Sequence, residues 1–494
     1  MSVLLSATLV GCIVSPEEID PNELLNIIES DNALITQSQM AVDGPLSLGD
    51  IMARAVLTNL DQKVSNLEEA LALGAFELSQ YDMLPTAAIS STYYDRNNEN
   101  ASRSISVLTR QETLEASTSQ ETEHLVSDLR VSWNLLDFGV SYFQAKQEAD
   151  RYLITGNNRK KAFIDLMQQA RGAYWRALAA QRLKEPVQMV LDEAFVAYEE
   201  VSQGIEERIY PSMLQAMQLK KELFVLMGDL EVLESELQQS LILLANFINV
   251  PSDTDIVLEE PESLPELPTL DIDSTQLELT ALMNSTEVTI EAYNARIELA
   301  ETRKALLRLL PGIEIGDSVN RDTNEFLFNN DWNEASVRVS WNLMSLATTR
   351  QTLRSSKLRS ELQVQRRLAA NMAVVTRLNL AMHQYNNQLS QVKRARELQQ
   401  IDSDIADLTA NAVSSDSDGQ VNLVRTQAEA ITAELSYLLA YAQVQEAYGT
   451  VLVSLGLNPL PLNYNEQTVD QLSEALELSN SRWYEGDLQL QALN

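Results

Sequence analysis

The stretch Arg130-Val131-Ser132-Trp133-Asn134-Leu135 recurs as Arg338-Val339-Ser340-Trp341-Asn342-Leu343. The copies stand 208 residues apart (338 against 130), and the same distance separates Pro251 from Pro459, each of which closes a long helical stretch. An identical hexapeptide with an equal offset far downstream marks an internal duplication. Both copies alternate. Leu129, Val131, Trp133 and Leu135 fall on one face of a strand, with Arg130, Ser132 and Asn134 on the other; Val337, Val339, Trp341 and Leu343 oppose Arg338, Ser340 and Asn342. A period of two with one apolar and one polar face fits a half-buried sheet or a membrane-barrel strand.

Outward from this match, each half repeats one grammar. A helical segment (about 46–83, then about 274–310) ends at Leu84-Pro85 or Leu310-Pro311, where proline stops a helix. These pairs lie 226 residues apart, so the first half is 18 residues longer between its two strands. That extra length is a polar loop within Asp95 to Glu123, as a surface loop should be. After the second strand comes a helical stretch of more than sixty residues from Phe138 to Val201, interrupted by Pro186, where a kink or break is expected. The return helix places Leu226, Leu230, Leu233, Leu237, Leu241 and Leu244 at near-heptad spacing. Ile431, Leu435, Leu438 and Ala442 keep the same rhythm in the second half. The hairpin turns fall at Gly204 to Pro211 and at Ser414 to Gly419, the latter carrying Asp416 and Asp418.

These boundaries divide the chain into 1–12, 13–45 (an acidic tether), 46–250 (first repeat), 251–270 (a Pro-rich acidic linker), 271–459 (second repeat) and 460–494. The fold class is mainly α with a small β part. Four strands cannot close a membrane barrel, which needs about eight, and open edges do not survive in lipid. If the strands enter a membrane, several chains share one barrel.

Composition narrows the function. Asp and Glu number 71 against 36 Lys and Arg, a net charge of -35 that disfavours nucleic acid as a partner. Two histidines, His124 and His383, and one cysteine exclude an ordinary His/Cys zinc site and an internal disulfide. No nucleophile elbow, P-loop or dinucleotide turn is present, so neither catalysis nor a cofactor is expected. No apolar run reaches the roughly 18 residues of a spanning helix. The lone Cys12 ends an apolar run behind Leu9-Val10-Gly11, a pattern that resembles a bacterial lipoprotein signal, with Cys12 as the acylated residue. No Lys or Arg precedes that run and it is short for a signal, which points to a native start upstream of Met1.

The order helix, Leu-Pro, strand, polar loop, strand with Ser-Trp-Asn-Leu, and long helical hairpin, present twice over about 46–460, resembles the TolC-like outer-membrane efflux proteins, lipoprotein branch. The resemblance implies a homotrimer with a trimeric α-helical periplasmic tunnel joined to a shared twelve-stranded outer-membrane β-barrel. It implies a passive export duct that works with a periplasmic adaptor protein and an inner-membrane transporter. Segments 251–270 and 460–494 would form a belt around the tunnel, and the hairpin turns its periplasmic tip. Relatives often carry a DVLDA-like run after the second turn; this chain has Val421-Asn422-Leu423-Val424-Arg425, without an acid. The alternative function is a periplasmic coiled-coil scaffold or adaptor lipoprotein whose strands form an ordinary soluble sheet.

Overall fold

A computed structural model describes residues 17–488 except 43, 113–114, 252–253, 255, 262, 269, 271–272, 413–416, 460–463 and 465–466, with backbone alone for 417–421. Cys12 and Asp416 lie outside the described residues.

The chain is mostly helical. Helix α1 (Pro21–Gln37) lies in the stretch expected to be a tether and buries none of its residues. Each half then opens not with one helix but with two. In the first half these are α2 (Leu48–Thr58) and α3 (Leu60–Tyr81); in the second, α6 (Ser274–Asn284) and α7 (Thr286–Leu307). The break is local chemistry. Asn59 and Ser285 adopt extended backbone and use their side chains to cap the next helix, accepting from Gln62 and Val288. Hydrophobic spacing alone does not reveal such a break, because the apolar face continues through it.

Strands β1 (Thr86–Asp95) and β4 (Glu123–Asn134) form the first hairpin, β5 (Gly312–Asp322) and β6 (Asp331–Ser340) the second. They make one antiparallel sheet in the order β1-β4-β5-β6. The loop between β1 and β4 also carries a two-residue strand pair, β2 (Ala101–Ser102) with β3 (Ser117–Thr118), which its polar composition does not suggest. The registers restate the duplication. Thr86 faces Ser132 in the first hairpin and Gly312 faces Ser340 in the second, so offsets of 226 and 208 carry one pairing onto the other. The same 226 relates α2 to α6 and α3 to α7, with 11 and 22 residues in each pair.

Helix α4 (Leu135–Glu206) has 72 residues and α8 (Met344–Ala412) has 69, each roughly 100 Å at 1.5 Å per residue. Of the kink or break expected at Pro186, the break does not occur: α4 continues through it. Leu183 and Val187 beside the proline are wholly buried in a cluster with Leu230 and Leu237, and this packing holds the turn despite one lost backbone hydrogen bond. Helix α5 (Met213–Phe247) returns along α4, and α9 (Ser417–Ser454) returns along α8 while also packing on α4. The heptad leucines Leu230, Leu233, Leu237 and Leu244 are buried there, as are Leu435 and Leu438.

A second core surrounds the middle of the long helices, where α10 (Val469–Tyr484) packs on α2. Proline-rich backbone needs outside donors, and aromatic hydroxyls supply them: Tyr174, Tyr441 and Tyr385 donate to the carbonyls of Glu259, Pro265 and Pro268. Leu46 bridges to the linker at Leu258. The buried Arg171 donates to Asn480 of α10 at 2.7 Å.

Candidate functional site: a two-faced sheet with open edges

Residues directly opposite one another across strands share a face. Leu129 lies between Ile89 and Val319, and Trp133 beside Ile315. Ile313 and Ile315 lie opposite Val339 and Val337. Toward its helix end one face is therefore apolar across all four strands, apart from Asp317 between Val131 and Ala335, and toward the loops the same face turns polar at Ser91, Ser127, Arg321, Asn333 and Asp331. The other face carries Asp128, Arg130, Ser132, Glu314, Ser318, Asn320, Glu334, Arg338 and Ser340.

Burial in the two central strands is inverted relative to a soluble sheet, whereas β1 and β6 are exposed on both faces. In the two central strands Leu125, Leu129, Val131, Trp133, Ile313, Ile315 and Val319 are all exposed, Val319 at 54%. On the polar face His124, Gly316 and Ser318 are buried, Ser318 at 5%. His124 stacks on Tyr94 at 4.9 Å between ring centroids and shares a hydrogen bond with Gln120. Phe138 of α4 meets Trp133 edge-on at 5.4 Å at the helix end of the apolar face, and β1 and β6 are both free edges.

At the helix end of the sheet, the recurrent Trp-Asn pair performs two local tasks. The indole of Trp133 donates to the carbonyl of Met83, and that of Trp341 to Leu309; both acceptors lie two residues before the strand-opening proline. Each tryptophan thereby ties the end of one strand to the corner that starts its partner. Asn134 accepts from the amides of Leu136 and Asp137, capping α4, and Asn342 accepts from Met344, capping α8. Two expectations need correction here. Leu135 is the first residue of α4, and Trp341, Asn342 and Leu343 lie beyond the end of β6, because the asparagine cap ends the extended backbone. Strand alternation therefore does not extend to Leu135 or Leu343.

Below the sheet, the seam between α4 and α7 is ionic. Asp150, with 4% of its side chain exposed, pairs with Arg296 at 2.7 Å. Burial pushes the Asp150 carboxyl up, while Arg296 and Lys146 pull it back. Gln147 donates to the carbonyl of Ile297 and to Glu301, and Lys304 donates to Gln144. Further along, α4 meets α9 through Arg176–Glu446 at 3.1 Å and Arg182–Glu434 at 3.3 Å.

At the far end of the hairpins, α4 runs to Glu206, so Gly204 lies inside its last turn rather than in the loop. The left-handed position is Arg208, at φ 57°. Gly204 matters for space: a Cβ there would sit 2.6 Å from the Tyr210 ring. Pro211 lies in the turn proper, and Ser212 caps α5 by accepting from Gln215. In the second hairpin α9 already begins at Ser417, which places Asp418 and Gly419 in its first turn instead of the loop. Arg425 donates to Asn422 and approaches Glu429 at 3.9 Å.

Among the described residues no cluster of His, Cys, Asp and Glu could hold a metal, and no helix is long and apolar enough to cross a membrane.

No family profile and no curated protein matches the sequence. Solved structures do match. A membrane protein from Pseudomonas aeruginosa aligns over 85% of this chain and 92% of its own, at 15% identity and TM-score 0.64. The open state of the Neisseria gonorrhoeae MtrE outer-membrane channel aligns over 87% and 96%, at 17% identity and TM-score 0.62. The Campylobacter jejuni CmeC outer-membrane channel aligns over 88% and 90%, at 12% identity and TM-score 0.61. The chain has the TolC-like outer-membrane-factor fold.

Proposed function

We propose that this protein is an outer-membrane channel of a tripartite export system, passive and without catalysis of its own. Three copies contribute four strands each to one twelve-stranded barrel, and their long helices continue it as a periplasmic tunnel. Leu129, Val131, Trp133, Val337, Val339 and Trp341 face lipid. Arg130, Ser132, Arg338 and Ser340 line the lumen, with Asn134 and Asn342 at its junction with the helices. Acylation of Cys12 anchors the chain to the same membrane. The turns around Arg208 to Pro211 and before Ser417 form the tip that meets a periplasmic adaptor and, through it, an inner-membrane pump.

One observation carries this reading: the two central strands expose their apolar residues on one face while burying His124, Gly316 and Ser318 on the other. In water that arrangement wastes the burial that stabilises a sheet, about 25 cal/mol for each Å² of apolar surface. In a bilayer it is the ordinary pattern of a barrel wall. A periplasmic scaffold with a soluble sheet would require the opposite orientation. The test is solubility without the anchor. Cys12→Ser protein is expected still to need detergent for extraction, and to form threefold tubes with roughly 100 Å helices by electron microscopy. Extraction in plain buffer as a monomer would overturn the proposal.

A further inference from the structure

We propose that neighbouring copies join in one fixed register, copied from the seam inside each chain, and that this second seam lacks the ion pairs of the first. The inference rests on the shared barrel proposed above, because only then do the free edges β1 and β6 meet. Within the chain, β4 pairs with β5, setting Ser132 opposite Gly316 and Trp133 opposite Ile315. The duplication carries β4 onto β6 by 208 residues and β5 onto β1 by 226, and both offsets are fixed by the hairpin registers. Applying them to the open edges sets Ser340 opposite Ser90, Trp341 opposite Ile89 and Val337 opposite Tyr93. Apolar residues then meet at Trp341–Ile89 and Val337–Tyr93 and polar ones at Ser340–Ser90 and Arg338–Thr92, with Val339 against Ser91 the exception, and a slip of one residue would set the apolar row against the polar one. The pairing of Val126 with Asp322 becomes Glu334 with Arg96, an attractive cross-strand pair that the internal seam does not have.

The same offsets place α8 of one copy against α3 of the next, as α4 lies against α7. Asp150 and Arg296 are then replaced by Leu358 and Ala70, and Gln144 and Lys304 by Thr352 and Leu78. Where α8 would meet α5 of the next copy, Arg176–Glu446 becomes Gln384–Gln238, and Arg182–Glu434 becomes Ser390–Leu226. Leu358, Leu71 and Leu78 are exposed in the single chain, the last two at 76% and 69%, so their partner is outside it. The contrast selects the partner. Pairing α8 with α7 of another copy would set Leu358 against Arg296 and leave a charge without its acid, whereas α3 offers it Ala70.

Paired cysteines read the register directly, since a disulfide requires Cβ atoms within about 4.5 Å. The full chain carrying S90C with S340C is expected to run as covalent dimers and trimers on a denaturing gel after mild oxidation. S91C with V339C, on the opposite face, should do the same and guards against local distortion at either site. S90C with S336C, displaced by four residues or about 13 Å, and each single variant should remain monomeric on the gel. Preferential linking of S90C to S336C would overturn the register. Leu358→Asp, which places the acid of the internal seam in the outer one, should abolish trimers in detergent while preserving helical circular dichroism. Trimers at wild-type yield would overturn the ion-poor seam. A wild-type protein that is monomeric in detergent would instead refute the shared barrel itself.

Discussion

At the level of single residues, the most informative side chains have a task beside the one their alternation suggests. Asn134 closes the polar row of β4 and Asn342 stands just beyond β6, yet the side chains of both accept from the first amides of the long helices, and each tryptophan anchors a corner by its indole N–H. The sequence repeats these residues without saying which part of the side chain matters; that depends on a carbonyl fifty residues upstream in one copy and thirty-two in the other. Glu287 in the first turn of α7 is similarly determined by its surroundings. Burial raises its pKa, but hydrogen bonds from Arg377 and Lys161, at 3.0 and 2.8 Å, outweigh that and hold the carboxyl below its ordinary range. A lowered folded value means the stabilisation is present above the unfolded pKa and disappears as pH falls through the folded one. Glu287→Gln should therefore melt below wild type at pH 7, by the equivalent of about 1 kcal/mol for a partly exposed pair of bonds. The gap should close below about pH 4. Neighbouring Asp165 is raised by burial and further by the Glu287 charge, so the substitution also relieves Asp165 and the gap at pH 7 is smaller by that relief. An unchanged gap at low pH would show that the loss is steric.

At the level of elements, the sequence discloses those that depend on local pattern. The alternating strands, the leucine return helix and the proline-terminated corners are all legible from spacing. Where neighbours decide, spacing misleads. The expected break at Pro186 is absent because packing on Leu230 and Leu237 holds a turn that proline weakens. The breaks at Asn59 and Ser285 exist because a side-chain cap competes with helix continuation, and no interruption of the apolar face announces them. Proline in a helix interior costs up to about 3 kcal/mol relative to alanine. Pro186→Ala is thus expected to raise the thermal midpoint of the assembled protein, since it restores the missing hydrogen bond without emptying the cluster around Leu183 and Val187. A lower midpoint would mean that the proline ring fills space there or sets a bend that the assembly needs.

At the scale of the whole molecule, charge is the property whose meaning changes most once the sheet is oriented. The net charge of -35 says little about what passes through, because most acidic residues lie on helices. The sheet's polar face is more specific: within its strands it carries Asp128, Glu314, Asp322 and Glu334 against Arg130 and Arg338, an excess of two acids per copy. In the proposed trimer that excess falls in a single ring of wall, and a low-dielectric wall of one sign concentrates counter-ions in the space it surrounds. Reconstituted in planar bilayers under a salt gradient, the channel is expected to prefer cations over anions, more strongly at low ionic strength, where screening is weakest. Neutralising two acids per copy away from the seam between copies, with Asp128→Asn and Glu314→Gln, removes that excess, so the reversal potential should move toward zero while trimers still form. If the wild-type pore selects anions, the arginines dominate the narrowest part and the polar face does not set selectivity by its sum. If the double variant leaves cation preference untouched, the charge that selects lies further down, among the helices of the tunnel. In that case the same measurement on Arg425→Gln would reveal it, because Arg425 is a cation in α9 close to the tip turn, 3.9 Å from Glu429.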